Sequence, residues 1–127
     1  MINMKIEVTS IKAPKAIGPY SQGIMNGNFV FTSGQIYLTV DGKLLEGTIE
    51  EQTHQVMKNL QVILEAAGVG FENVVKTTIY VASMEDFGRI NEVYMTYFNK
   101  PYPARETIGV KELPKGAKIE ISMIAIK

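Results

Sequence analysis

Eight residues, Ile119-Glu-Ile-Ser-Met-Ile-Ala-Ile126, constrain the fold more than any other stretch of the chain. With a strand's two-residue period, Ile119, Ile121, Met123 and Ala125 share one side. Ile124 and Ile126 fall on the other, together with Glu120 and Ser122. A strand that is apolar on both sides needs a cover on both. The helical pattern supplies one cover only, because the chain has two segments of helical period and both are expected on the same face of a sheet. The second cover must come from outside the chain, and another copy is the simplest source.

The remaining elements follow from period and punctuation. Ile6–Thr9 alternates weakly, as a short edge strand would. Ile24–Met25 and Phe29–Thr32 flank Asn26-Gly27-Asn28, a hairpin signature. Ser33-Gly34-Gln35 breaks the apolar pattern, and a glycine there marks a bulge or a point of close approach to the backbone. Ile36–Val40 resumes the strand pattern up to the Asp41-Gly42 turn. Thr48 opens a helix, and Glu51 three residues later completes a capping box. Val56, Leu60, Ile63, Leu64 and Ala67 recur at helical spacing until Gly68 stops them. Val74–Val81 reads as a strand. Ser83 opens a second helix, whose stripe is Phe87, Ile90, Tyr94 and Phe98. Pro101 and Pro103 then force extended backbone into Arg105. Thr107–Val110 reads as a strand that the Leu113-Pro-Lys-Gly116 turn would fold back onto Ile119–Ile126 as a hairpin. Two successive strand–helix–strand units predict parallel neighbours joined by right-handed crossovers. At 127 residues, one domain spanning residues 1–127 is expected.

Composition closes off several kinds of chemistry. Thirteen Lys and Arg balance thirteen Asp and Glu, whereas a chain that grips phosphate backbones usually carries a basic excess. The absence of cysteine removes disulfides, thiolate nucleophiles and sulfur metal sites. A single histidine, His54, leaves no histidine cluster for a transition metal. His54 groups with Glu50, Lys58 and Gln61 on the outer face of the first helix and reads as a solvated residue. No apolar run is long enough to span a membrane, and the first residues carry no signal-peptide pattern. The expected compartment is the cytoplasm.

Two charges stand out where a strand should be apolar: Arg105 at the entrance to one run and Glu120 inside the other. Buried charges are costly unless paired or used. Arg105 presents a planar fork suited to a carboxylate. Glu120 could act as a general base, or the two could form a structural pair. The loop Ala13-Pro-Lys-Ala-Ile-Gly-Pro-Tyr-Ser-Gln22 is stiffened by Pro14 and Pro19, and either delivers Tyr20 to a site or packs it over the sheet edge. Asn91 lies beside the second helical stripe, as a boundary residue or a pocket residue. Taken with Ser33 and Gly34, these residues point to a small pocket at a subunit boundary, with one anion anchor and one proton acceptor.

In order and spacing, seven stretches resemble the reactive intermediate deaminase (RidA) family over essentially the whole chain. They are Ala16-Ile-Gly-Pro-Tyr-Ser-Gln22, Thr32-Ser-Gly-Gln-Ile36, Val74-Val-Lys-Thr-Thr78, Asn91-Glu-Val-Tyr94, Pro103-Ala-Arg105, Leu113-Pro-Lys115 and Ile119-Glu-Ile121. The resemblance implies an α+β, chorismate-mutase-like fold: a mixed six-stranded sheet with two helices on one face. In that fold the last strand is inserted antiparallel between two core strands, which replaces the hairpin above. It also implies a homotrimer with sites between subunits, no metal and no organic cofactor. The implied reaction is hydrolysis of reactive 2-imino acids, formed from enamines such as 2-aminoacrylate, to 2-keto acids and ammonia. Arg105 would hold the carboxylate and Glu120 would activate water. Tyr20, Ser33 and Gly34 would shape the site, Phe87 and Asn91 would line it, and Thr107 would sit near the imine nitrogen.

The chain departs from the family pattern at three positions. Thr107 stands where cysteine is common, so a role needing a thiol is absent. Glu106 replaces a small or apolar residue, and its place next to Arg105 on a strand turns it away from the pocket. Tyr37 stands where proline is common and alters the adjoining loop. An alternative within the family is a trimer that senses a ligand or binds protein without catalysis; the presence of Glu120 beside Arg105 argues for the enzyme, since an anion sensor needs no base. An RNA-directed activity is disfavoured by the balanced charge and the missing histidine pair.

Overall fold

The computed structural model describes residues 4–127. Six strands form one mixed sheet in the order β1-β2-β3-β6-β4-β5: β1 is Ile6–Val8, β2 Gly23–Asn26, β3 Phe29–Thr32, β4 Val74–Val81, β5 Ala104–Gly109 and β6 Ile119–Ile126. Only β4 and β5 are parallel; every other pairing is antiparallel. The α1 helix is Ile49–Ala66 and α2 is Phe87–Tyr94.

The first helix starts and stops where its sequence dictates. The Thr48 hydroxyl accepts from the Glu51 amide at 3.1 Å, and the Glu51 carboxylate accepts from the Thr48 amide at 2.8 Å. At the other end Gly68 adopts φ +82°, a conformation that costs glycine little. The face carrying Val56, Leu60, Ile63 and Leu64 is fully buried against Val30, Ile79, Ile119, Ile121 and Met123 of the sheet. The second helix begins through a short 3-10 turn, Met84–Asp86, whose cap is Ser83. Ile90, Tyr94 and Phe98 enter the core, while Phe87 is only half-buried.

β6 lies antiparallel between two core strands, as the family resemblance implies, and not in the hairpin that the turn alone suggested. Residues 110–118 carry the chain from the sheet edge at β5 across to the centre, where β6 pairs with β3 on one side and β4 on the other. An edge position would leave one row of its backbone groups unpaired, and the central one satisfies both rows. Both parallel units of the sequence reading exist in modified form: β4 and β5 are neighbours, whereas β3 and β4 run parallel with β6 between them.

The strand expected over Ile36–Val40 does not form. Its carbonyls go elsewhere: the Asn59 amide on α1 donates to Ile36 O at 3.2 Å and to Leu38 O at 2.9 Å, and Tyr37 O accepts from Leu45 N at 2.9 Å. A buried side chain from the helix has taken the place of a strand partner. Tyr37 further ties this loop to β6, because its hydroxyl accepts from Lys118 N at 2.9 Å.

The helices cover one face of the sheet. The other presents Phe29, Phe31, Ile124 and Ile126 side by side, with Phe29, Phe31 and Ile126 exposed. That is the uncovered apolar side anticipated from β6.

Candidate active site

Arg105 projects from the edge strand β5 on the helix side of the sheet, directly across from Thr77 in the parallel register. Its Nη1 donates to Asn91 Oδ1 at 2.6 Å. Its guanidinium carbon lies 5.2 Å from the ring centroids of both Phe87 and Tyr94. Phe87, Asn91 and Tyr94 occupy positions i, i+4 and i+7 of α2, so one helical face presents all three to the guanidinium. Asn91, Tyr94 and Arg105, with Met95, Tyr102 and Pro103, line an open cavity of about 370 Å³. Asn91 spends one donor, which leaves the rest of the fork free for an anion. Arg105 itself is exposed. Thr107, two residues along on the same face, holds a buried hydroxyl with no hydrogen-bond partner among the described residues.

Glu120 faces the opposite way. It pairs with Tyr80 in the register of β4 and β6 and turns to the open side of the sheet. It is half-buried, and burial pushes its carboxyl above the ordinary 4.5. Gly34 lies beneath it so closely that a methyl group there would stand 2.7 Å from the Glu120 carboxyl carbon. The break in strand pattern at Ser33-Gly34-Gln35 therefore marks a point of close approach. The loop is fixed from both sides: Ser33 Oγ donates to Ser21 O at 2.5 Å, and Gln35 exchanges backbone hydrogen bonds with Ile121. Buried Gln22 pins the preceding loop through Ser10 and Pro14. Around Glu120 a cavity of about 510 Å³ is walled by Pro14, Ile17, Tyr20, Ile36, Leu38 and Pro114, with Lys15 and Lys115 also on its border. Tyr20 lines this cavity and is 52% exposed.

The residues singled out from sequence thus fall into two groups. Arg105, Asn91, Phe87 and Thr107 cluster on the helix side of the sheet; Glu120, Tyr20, Ser33 and Gly34 cluster on the open side. Arg105 and Asn91 line one cavity, and Glu120, Tyr20, Ser33 and Gly34 line another on the opposite face of the sheet. Among the described residues neither Arg105 nor Glu120 has an ion-pair partner, which sets aside the structural pair between them. Glu106 points to the open face and pairs with Lys76 at 2.6 Å, so it does not compete for the guanidinium. His54 is bonded to the Tyr97 hydroxyl at 2.7 Å and belongs to neither group. Sequence reasoning missed Tyr94, whose helical spacing marked it only as core; its distance of seven residues from Phe87 was the available signal.

Residues 10–127 match the model of the Endoribonuclease L-PSP family. A 2-iminobutanoate/2-iminopropanoate deaminase of Mus musculus is 46% identical, covering 94% of this chain and 90% of that one. Reactive Intermediate Deaminase A of Arabidopsis thaliana, described as chloroplastic, is 50% identical over 97% of this chain and 67% of its own. The chain belongs to the RidA family. The crystal structure of E. coli TdcF with bound serine superposes on it with a TM-score of 0.91, at 36% identity and over 96% of this chain and 98% of that one. The RidA fold, α+β and chorismate-mutase-like, is the fold described above. No helix among the described residues is long and apolar enough to cross a membrane.

Proposed function

We propose that this chain hydrolyses 2-imino acids to 2-keto acids and ammonia at sites completed between two copies of itself. The observation that carries this reading is the separation of an anion anchor and a raised-pKa carboxylate into two half-sites, each open and neither neutralised by the other. Relatives named as imine deaminases support the reaction class. The uncovered face bearing Phe29, Phe31, Ile124 and Ile126 supports burial against further copies, and the assembly is a homotrimer with one cleft at each boundary.

In that cleft Arg105 of one copy holds the substrate carboxylate through its free donors. Glu120 of a neighbour takes a proton from water as the water oxygen attacks the protonated imine carbon, giving a carbinolamine. The same carboxyl then protonates the amine; as the C–N bond breaks, the regenerated carboxylate takes the hydroxyl proton and passes it to the departing ammonia. The products are the keto acid and ammonium. The iminium carbon is already electrophilic, so no covalent nucleophile is needed, in keeping with a chain without cysteine. A carboxyl pushed up by burial is a better proton acceptor near neutrality than an ordinary glutamate. Proton transfer contributes roughly 10²–10⁴-fold, with orientation adding to it. Thr107 places a hydroxyl, not a thiol, beside the imine nitrogen.

The test is to generate 2-aminoacrylate in situ and follow trapping of its imine by semicarbazide. Adding the protein is expected to lower the trapped fraction, and Arg105→Ala and Glu120→Gln are each expected to abolish that effect. Unchanged trapping with the wild-type protein would overturn the assignment.

A further inference from the structure

We infer that Thr77 and Tyr94 are positioning residues for the anion anchor: a buried hydroxyl pair fixes the tyrosine ring against which the Arg105 guanidinium is laid. The inference rests on the reading of Arg105 as the carboxylate-binding residue. Three contacts close a small circuit. Thr77 is the register partner of Arg105 on the adjacent parallel strand, so both side chains emerge on the helix side of the sheet. The Thr77 hydroxyl and the Tyr94 hydroxyl lie 2.8 Å apart, and the Tyr94 ring in turn lies 5.2 Å from the guanidinium carbon.

Packing alone does not call for this arrangement. Thr77 is 0% exposed, and its companions on that face of β4 are Ile79 and Val81. Valine would fill the same place without burying a hydroxyl, which costs stability unless it is bonded. Tyr94 is 4% exposed, and phenylalanine would pack equally well there. Each hydroxyl is satisfied by the other, and the pair together fixes the tilt and depth of the ring.

What the pair gives the site is a defined wall. Arg105 sits on an exposed edge strand, and its long side chain must otherwise be ordered at the moment an anion binds. Asn91 holds one Nη1 donor, but a single hydrogen bond leaves the plane of the fork free to rotate. Phe87 and Tyr94 both lie within cation–π distance of the guanidinium carbon. Of the two rings only Tyr94 is anchored by a hydrogen bond into the core, so it sets the plane in which a carboxylate must approach.

The test compares Thr77→Val, Tyr94→Phe, the double variant and Thr77→Ser, with Arg105→Ala alongside. For each, KM and kcat for 2-iminopropanoate, the Kd of pyruvate by calorimetry and the Tm are measured. Each hydroxyl deletion is expected to raise KM and Kd about three- to tenfold while kcat stays within about twofold, because only binding geometry is loosened. The double variant leaves no buried hydroxyl alone, so its Tm should return toward wild type while the KM defect stays and is no worse than in either single variant. Thr77→Ser should restore KM. If the single variants lower Tm but leave KM and Kd within about twofold of wild type, or if the double variant regains KM together with Tm, the pair is structural and the inference falls. The Arg105→Ala arm separates the two levels. Loss of pyruvate binding in that variant beside normal binding in all the hydroxyl variants overturns the positioning role alone. Undiminished binding in Arg105→Ala overturns the anchor assignment, and the inference with it.

Discussion

Replacing Gly34 by alanine is expected to remove turnover while leaving the protein folded. The added methyl carbon would stand 2.7 Å from the Glu120 carboxyl carbon and 3.0 Å from its Cγ. Carbon atoms in ordinary contact lie about 3.5–4.0 Å apart, so the carboxyl group must retreat by about 1 Å. A displacement of that size in a catalytic group costs about a hundredfold in rate. Stability should hardly move. Gly34 is not among the glycines with positive φ, so alanine is allowed there and gains about 0.4–1 kcal/mol through the unfolded state. Forcing Glu120 off its rotamer costs about 0.5–1.5 kcal/mol, and the two effects nearly cancel. The assay is the semicarbazide-trapping rate with 2-iminopropanoate, read beside a thermal melt. A kcat about a hundredfold down with Tm within about 5 °C of wild type is the expected result. A Gly34→Ala protein with near-normal kcat would refute the claim that the Glu120 carboxylate must rest on the bare backbone of residue 34.

Because burial pushes the Glu120 carboxyl above the ordinary 4.5, kcat/KM should rise with pH as that group loses its proton, with an acid limb above 4.5 that is missing from whatever activity Glu120→Gln retains. The same shift fixes the sign for stability. A raised folded-state pKa gives stability that is full below the unfolded value and lost as pH rises through the folded one, so Glu120→Gln should melt higher than wild type at pH 7 and alike at pH 4. Thr48→Ala breaks the capping box of α1 and should cost about 1 kcal/mol, a fall of about 5 °C in Tm, with KM unchanged.

What was legible in the sequence was local. The Thr48 cap with Glu51, the Gly68 stop and the Asn26-Gly27-Asn28 turn each specify a structure through contacts a few residues apart, and all three appear as expected. The partners of β6 and the fate of residues 36–40 are decided by distant groups. Asn59 reaches 21 to 23 residues back along the chain to take two carbonyls that a strand would have used. The site divides in the same way. Arg105 and Glu120 were visible as charges out of place in strands. Their opposite orientation follows from the pairing of Thr77 with Arg105 and Tyr80 with Glu120, a register that no short stretch reveals. Tyr94 escaped notice because one residue meets two demands, packing in the core while its ring also meets the guanidinium.

The central claim, that each site joins the Arg105 of one copy to the Glu120 of another, is tested most directly by mixing two inactive proteins. Arg105→Ala and Glu120→Gln subunits are unfolded together in equal amounts, refolded and assayed for 2-iminopropanoate hydrolysis. In a randomly mixed ring, about a quarter of the boundaries carry an intact arginine on one side and an intact glutamate on the other. Recovery of about a quarter of wild-type turnover is the predicted result. A mixture as inactive as its two components, with exchange of subunits verified by mass, would contradict the account.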